Sequence, residues 1–462
     1  MKPRVILSTC LTCITVMTVG CGLVGGDVIG GTFSDTGNDT ANRFFHRASL
    51  LQNGQVMVSG GMRINLIPAT LVSLSDLSFF DPVANSFSAS FQPTGGGPMV
   101  TPSLSVARSS HTQTTLQDGR VLITGGRTNA TGTNPGTPIN SVEIFDPLTG
   151  TIQAGPAMST QRTDHTASLL PDGRVVVAGG GTWQIFDPTT DTWSVSFALQ
   201  RTRAAHAAVA LPDHDGPGLH RVLLIAGNGN GSTTLELLNP DATMSTLLSA
   251  TLTIGVDDLA ATLLNDGTVL IVAGQHITNG DTVDLSYRYD PVTDIITPTA
   301  PPPGLANGIS DHQIVALDRF AIIFGGEQQV SGVDTELDYA AVYDGATGDW
   351  PFVTTMNHPH DDFAAVLLPD DRILLIDGGV PFLNMAFPSN AVEIFTPTLI
   401  KLGDMNNDTI LNELDVLPFV GVLIDPDTAS SLERCAADTN GDHSLDARDI
   451  QMFVNALISG LP

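Results

Sequence analysis

The chain is short of cysteine, of aromatic residues and, above all, of positive charge. It has four cysteines in 462 residues, and Cys10 and Cys13 lie in an N-terminal leader. Only Cys21 and Cys435 remain, which excludes a disulfide framework. Lysine and arginine number 19 against 48 acids, a formal net charge of -29. That deficit argues against nucleic acid and anionic membrane surfaces as partners and favours solubility and cation binding. Charged residues of both signs make up only 15% of the chain, while 46 glycines and 29 prolines punctuate it. Such a composition suits many short strands and turns, not long helices. Long hydrophobic runs are also missing: Val5–Val19 is short for a membrane span, and no second candidate segment is found.

Lys2 and Arg4 followed by that apolar run read as a secretory leader over residues 1–20. Thr18-Val19-Gly20-Cys21 resembles a bacterial lipobox, which implies acylation of Cys21. Simple cleavage and release is the alternative. Either way the expectation is an exported protein, a cell-envelope lipoprotein or an extracellular one. Residues 21–42, rich in Gly, Asp and Thr, read as a tether. Within them Thr32-Phe33-Ser34 is placed to add an outer strand to the last repeat.

Arg162–Trp193 sets the pattern of the chain. A strand (His165–Leu170), a Pro171-Asp172-Gly173 turn, a β-branched run ending in glycines, a strand stopped by Asp187-Pro188, and a fourth strand from Thr192 make one unit. Seven copies follow one another. Their second strands end at Gly60-Gly61, Gly125-Gly126, Gly179-Gly180, Gly227-Asn228, Gly274-Gln275, Gly325-Gly326 and Gly378-Gly379. Their third strands end at Asp81-Pro82, Asp146-Pro147, Asp187-Pro188, Asn239-Pro240, Asp290-Pro291, Asp344-Gly345 and Thr396-Pro397, mostly after an aromatic residue. Units of roughly fifty residues that cannot bury their faces alone must stack. The glycines let backbones approach near a crowded axis and accept positive φ.

In these glycine pairs, these aromatic-Asp-Pro ends and the Arg-x-x-His that opens the first strand, residues 43–402 resemble the bacterial Kelch family, similar to the central domain of galactose oxidase. The resemblance implies an all-β, seven-bladed β-propeller. The long insertions at 63–78, 92–106, 127–140 and 327–339 would gather on one loop face and make it a binding face. Arg43/His46, Arg108/His111, Arg162/His165 and Arg203/His206 would sit near the channel mouth on that face. The functional reading is a histidine cluster for a metal or anion; the structural reading is hydrogen bonding to loop backbone within each blade. Leu259 and Phe363 replace the histidine in two blades, and His312 reads as one residue out of register, which favours architecture. Galactose oxidase-like copper chemistry needs tyrosine, histidine and cysteine; only Tyr287, Tyr289, Tyr339 and Tyr343 are present and the propeller has no cysteine, so no copper is expected. No Gly-x-Ser-x-Gly nucleophile elbow appears.

Residues 403–462 change character and read as a small α-helical domain with paired calcium loops. Asp404, Asn406, Asp408, Asn412 and Asp415 stand at positions 1, 3, 5, 9 and 12 of one loop, with the Ile410 carbonyl at position 7. Asp438, Asn440, Asp442, Asp446 and Asp449, with the Ser444 carbonyl, repeat the spacing. Oxygen donors so spaced wrap a hard cation, Ca2+, at about two sites. Each loop runs into an apolar helix, and the pair resembles a type I dockerin, an EF-hand-type module that binds cohesin domains with calcium. Thr409 and His443 replace the usual glycine at position 6, and the pairs Glu413-Leu414 and Ala447-Arg448 differ at the positions that help choose a cohesin. The expectation is an exported, non-catalytic binding or scaffold protein. Its propeller binds a glycan or a protein and its tail attaches to a cohesin-like protein or a cell-surface component. The alternative is an extracellular carbohydrate-active enzyme of polysaccharide catabolism with its site on the loop face.

Overall fold

The computed structural model describes residues 28–459, apart from 67–68, 131–133, 135, 213–219, 383–384, 401–404, 406–413, 427–428, 430, 438, 440–444 and 446. The leader and Cys21 lie outside the described residues. So do Asp404, Asn406, Asp408, Ile410, Asn412, Asp438, Asn440, Asp442, Ser444 and Asp446.

The chain is mostly β and forms a seven-bladed propeller, each blade a four-stranded antiparallel sheet. Blade two is representative: Thr112–Thr115 pairs Val121–Thr124, which pairs Val142–Asp146, which pairs Thr151–Gly155. The first strands begin at Arg47, Thr112, Thr166, Ala207, Ala260, Gln313 and Ala364. Each packs on the next, and the seventh packs on the first, so the ring is closed. Closure uses the N-terminus. Val28–Asp35 is the outer strand of blade seven, paired along its length with Met385–Ile400, from Val28↔Ile400 to Asp35↔Glu393. The segment read as a tether over 21–42 is therefore part of the fold from Val28 onward.

The core lies between blades, not inside one. Second strands such as Val56–Ser59, Val121–Thr124 and Val269–Val272 are buried at every residue, because both of their faces meet a neighbouring blade. The aromatic residue before each Asp-Pro turn is a large plug: Phe80, Phe145, Phe186 and Tyr289 are buried. The aspartate then turns the chain by accepting the backbone N–H two residues on, as Asp81 does from Val83 at 2.9 Å and Asp146 from Leu148 at 2.9 Å.

Among the described residues three helices follow blade seven: α1 (Val416–Ile424), α2 (Ser431–Ala437) and α3 (Ala447–Ser459). None of the described helices is long and apolar enough to cross a membrane. Phe419 of α1 and Phe453 of α3 stack at 4.0 Å with ring planes 7° apart. They share one hydrophobic cluster with Phe320, Phe324, Ile373 and Phe395 of blades six and seven.

In blades four, five and seven the left-handed pair that ends the second strand falls one residue earlier than the glycine doublets. Ala226-Gly227, Ala273-Gly274 and Asp377-Gly378 carry φ of 52° and 90°, 44° and 122°, and 54° and 108°. The first position tolerates alanine or aspartate and the second is glycine. At Gly326, φ is +89° and an added Cβ would stand 2.3 Å from the Ser310 carbonyl oxygen and 2.9 Å from the His312 Cβ. By contrast Gly54, in a surface turn at φ +86°, has nothing within 4 Å. Gly54→Ala should cost about 1–2 kcal/mol, the left-handed penalty alone. Gly326→Ala should cost about 3 kcal/mol or more, because the backbone must also move. Thermal unfolding of the two variants side by side checks this ordering.

Candidate functional site

The residue just before the first-strand histidine position is left-handed in every blade: Phe45, Ser110, Asp164, Ala205, Asp258, Asp311 and Asp362 have φ between 48° and 54°. These residues bond to one another around the axis. Ser110 N donates to Phe45 O at 3.0 Å, Asp164 N to Ser110 O at 3.4 Å and Ala205 N to Asp164 O at 2.8 Å. Asp258 N donates to Ala205 O at 3.0 Å, Asp311 N to Asp258 O at 3.1 Å and Phe45 N to Asp362 O at 3.2 Å. All seven line a cavity of about 340 Å³ at the channel mouth, with Arg47, His165 and His206. Four of the seven are aspartate, a residue that accepts the left-handed conformation better than most.

Their side chains crowd negative charge. Burial, then Asp257, Asp164 and Glu327, pushes the Asp258 carboxyl up to about 7. Burial and the neighbouring acids hold Asp311 and Asp362 well above the usual carboxylate range, against a smaller opposing pull on Asp362 from Arg47. Glu327 at the edge of the same face is pushed up to about 7, first by burial, then by Asp334 and Glu336. Asp164 alone has a close cation, Arg127, at 3.0 Å. Around this mouth stand hairpins that extend blades one, two and six: Met62–Leu66 with Ala69–Ser73, Arg127–Thr128 with Thr137–Pro138, and Glu327–Val330 with Val333–Glu336.

The four predicted channel-mouth histidines do not form one cluster. His165 and His206 border the cavity; His46 and His111 do not. His111 Nε2 meets Ser59 Oγ at 2.8 Å, His165 Nε2 meets Thr112 and Thr124 Oγ1 at 3.2 and 3.1 Å, and His206 Nε2 meets Thr166 Oγ1 at 3.0 Å. Each bond runs to the preceding blade, so the histidines wedge blades together instead of bonding within their own. Burial keeps them neutral, with His206 down to about 3. The arginines serve their own blades. Arg108 donates to the Gly125 and Ser141 carbonyls at 3.0 and 3.1 Å and to Glu143 at 2.8 Å. His312 is in register after all: it follows the ring residue Asp311, and its Cβ faces Gly326 as that of His111 faces Gly126.

Among the described residues one group of acids and histidine is close enough to share a metal ion: Asp172, His220 and Asp241, on the opposite face. That place already holds a cation. Arg174 bonds Asp172 at 2.6 Å and also Asp241, while His220 Nδ1 lies 3.2 Å from Asp241. Arg120 makes the same clamp one blade earlier, to Asp118 and Asp191, both at 2.8 Å. The group is one instance of a repeated link between blades.

A copper-radical centre would need tyrosine and cysteine donors. The four tyrosines are buried in blades five and six, and none lines the axial cavity. Tyr287, Tyr289 and Tyr339 hydroxyls are engaged by Thr253, Asp294 and the Pro303 carbonyl. The carboxylates, imidazoles and arginine at the axis do not fit that centre. Of the predicted calcium ligands, Asp415 and Asp449 are described. Both are fully buried at helix starts, and Asp415 Oδ1 accepts the Met405 N–H at 2.8 Å.

No protein-family model matches the chain. Galactose oxidase of Gibberella zeae is 41% identical over 76 residues, 16% of this chain and 11% of that protein's length. A fungal alcohol oxidase of the AA5 family, in complex with copper, superposes with a TM-score of 0.58 over 80% of this chain and 76% of its own, at 14% identity. The chain carries a galactose oxidase-like β-propeller. At that identity the structural likeness shows the fold, and the matched segment is a small part of the oxidase.

The ring aspartates escaped the sequence reading; the signal that finds them is the residue one before the histidine position. Asp258 keeps its proton up to about pH 7 in the fold. In the unfolded chain an aspartate loses it near pH 4. The stability contributed by that proton is therefore full below pH 4 and lost as pH rises through 7. Asp258→Asn should leave the melting temperature unchanged at pH 4 and raise it by about 2–4 °C at pH 8, as read by thermal melts across that range.

Proposed function

We propose that this is an exported, non-catalytic glycan-binding protein whose ligand enters the axial mouth of the propeller. The observation that carries the reading is the cavity of about 340 Å³ lined by Asp164, Asp258, Asp311, Asp362 and Arg47, with the hydroxyls of Ser110, Thr166 and Ser168. Closely set carboxylates and hydroxyls match a polyhydroxylated ligand, and the cavity's size is at the small end of ligand pockets. The named relatives, oxidases of galactose and of an alcohol, lend the reading support by kinship of fold. Asp311→Asn with Asp362→Asn should weaken binding to the preferred oligosaccharide at least tenfold in calorimetry while the protein melts no lower than before. Unchanged binding would move the site away from the axis.

One observation favours a second reading, a carbohydrate-active enzyme. Asp258 and Glu327 hold protons near neutrality on this face, as general acids do. Release of reducing ends from an oligosaccharide, lost in Asp258→Asn, would decide for it.

For the tail we infer a calcium-folded, dockerin-like module over 403–462. Asp404, Asn406, Asp408, Ile410, Asn412 and Asp415 would hold one ion, and Asp438, Asn440, Asp442, Ser444, Asp446 and Asp449 the other. Two buried carboxylates at the loops' twelfth positions support this, as does the stacked Phe419–Phe453 pair four residues beyond each. Leu417, Val420 and Ile424 are exposed at helical spacing on α1, which suits attachment to a cohesin-like protein or cell-surface component. Acylation at Cys21 would add a membrane anchor. Calcium added to the chelator-treated full chain should raise helical circular dichroism and the melting temperature, and Asp415→Ala with Asp449→Ala should abolish both effects. A chain indifferent to calcium would remove this part of the reading.

A further inference from the structure

Closure of the propeller buries two carboxylates around one guanidinium. Arg43 Nε lies 2.8 Å from Asp39 Oδ2 and 3.7 Å from Asp377 Oδ2, and none of the three side chains is exposed. Arg43 turns its other nitrogens to blade one: Nη1 donates to the Gly60 and Asp76 carbonyls at 3.0 and 3.2 Å, and Nη2 to Ser78 Oγ at 3.4 Å. Both carboxylate oxygens of Asp377 lack a hydrogen-bond partner among the described residues. In blades two and four the corresponding buried arginine faces one acid, as Arg108 faces Glu143 and Arg203 faces Glu236. At the closure there is one acid too many, and two like charges sharing a dry site do not both ionise near neutrality.

The blade does not require Asp377. It occupies the first left-handed position at the end of the second strand, where other blades place Gly60, Gly125, Ala226, Ala273 and Gly325. Asp39 belongs to the segment that carries the chain from the outer strand of blade seven, Val28–Asp35, to the first strand of blade one, Arg47–Leu50. That segment also reaches blades seven and one through its backbone, Thr36 N donating to Val392 O at 3.0 Å and Gly37 N to Asn85 O at 3.4 Å.

The other titratable groups around Asp377 do not supply the missing cation. His360 Nδ1 lies 2.5 Å from the Asp377 backbone carbonyl, and its Nε2 lies 3.0 Å from Glu393, so this imidazole serves the glutamate. His46 is fully buried, and burial, then Arg43 and Arg47, keeps it neutral. Asp361 meets this strand with its backbone carbonyl, which accepts the Gly379 N–H at 2.6 Å. Burial, then Asp39, holds the Asp377 carboxyl well above the usual carboxylate range, against the pull of Arg43.

We propose that Asp39, Arg43 and Asp377 form a proton-locked latch on closure of the propeller, in which one proton shared by the two carboxylates ties the N-terminal segment to blades one and seven. With the proton in place Arg43 balances the single negative charge. Without it a second charge stands buried and unmatched, and the segment opens more often together with Val28–Asp35. An aspartate freed into water loses its proton near pH 4, whereas the latched one keeps it to higher pH. The latch is therefore at full strength below about pH 4 and weakens as pH rises through the raised value of Asp377.

The test is hydrogen exchange read by mass spectrometry on the full chain from pH 5 to pH 9, with rates corrected for the intrinsic pH dependence of exchange. Opening of residues 28–42 should rise at least tenfold over that range relative to Val121–Thr124 of blade two, a factor of ten corresponding to about one pKa unit of linkage. The ratio isolates the latch from the axial aspartates, whose titration acts on the whole ring. Asp377→Asn and Asp39→Asn should each abolish the rise, because either leaves one acid per arginine. The double variant should open faster than either single one at every pH, because Arg43 is then buried with no acid. No rise in the wild-type chain would overturn the latch, and that result does not depend on any variant folding. A rise that persists in both single variants would overturn it as well, and a double variant as tightly closed as the single ones would overturn the role of Arg43.

Discussion

Six hydrogen bonds join seven peptide groups, one from each blade, around the axis, and most of the molecule is arranged so that they can form. The ring requires each blade to present a left-handed residue at the same height. That geometry turns the following residue between two blades, where a histidine reaches back to a neighbour's hydroxyl. It also brings the end of the second strand so close that only glycine fits at its second left-handed position. A residue that must be left-handed is best filled by a small or an Asx-type side chain. The ring is therefore a structural demand that aspartate meets well, and meeting it places carboxylates at the mouth.

Behind the ring, polar groups are exchanged as sets in five of the seven blades. Arg108 and Glu143 pair at 2.8 Å, Arg203 and Glu236 at 3.1 Å, and in blade seven His360 and Glu393 at 3.0 Å. Where the arginine position is apolar, at Val256 and Ile309, the acid is gone as well: Tyr287 and Ala341 take its place by strand register. A buried ion pair replaced as a whole costs little, whereas one partner left alone is expensive. The glutamates also accept the N–H groups of the strand connecting blades, as Glu143 does from Ser105 at 2.7 Å and Glu393 from Asn357 at 2.9 Å. One carboxylate thus joins the third strand, the axis and the crossover into a single unit.

What the sequence discloses follows from what repeats in it. The aromatic-Asp-Pro ends and the glycine doublets recur because each blade needs the same plug and the same close approach, so the all-β propeller and its seven units are legible. The aspartate ring is not, because its members are Phe45, Ser110, Asp164, Ala205, Asp258, Asp311 and Asp362. Aspartate fills only four of the seven positions, too few to mark a repeat, and the seven meet only when the circle closes. His312 is displaced when counted from an arginine, since Ile309 stands where the arginine would. Thr32-Phe33-Ser34 is the outer strand expected of the last repeat, and Val28–Gly31 before it reads as tether because an outer strand needs no strong apolar pattern. The spacing read as calcium loops is local, within twelve residues; of the acids in it, Asp415 and Asp449 lie among the described residues.

The two faces of the propeller treat their acids differently. On the face opposite the ring, Asp118 and Asp191 share Arg120, Asp172 and Asp241 share Arg174, and Asp370 is paired with Arg372. With 19 basic residues in the whole chain, cations are scarce, and several of them are used there to tie blade to blade. At the axial mouth the fold holds Asp258, Asp311 and Asp362 together and sets against them only the distant Arg47. Crowded, poorly compensated carboxylates destabilise the folded chain above neutrality. Serine or alanine satisfies the same left-handed backbone at Ser110 and Ala205, so the architecture does not require the charge. A feature that costs stability and that the scaffold does not need is the kind a ligand repays.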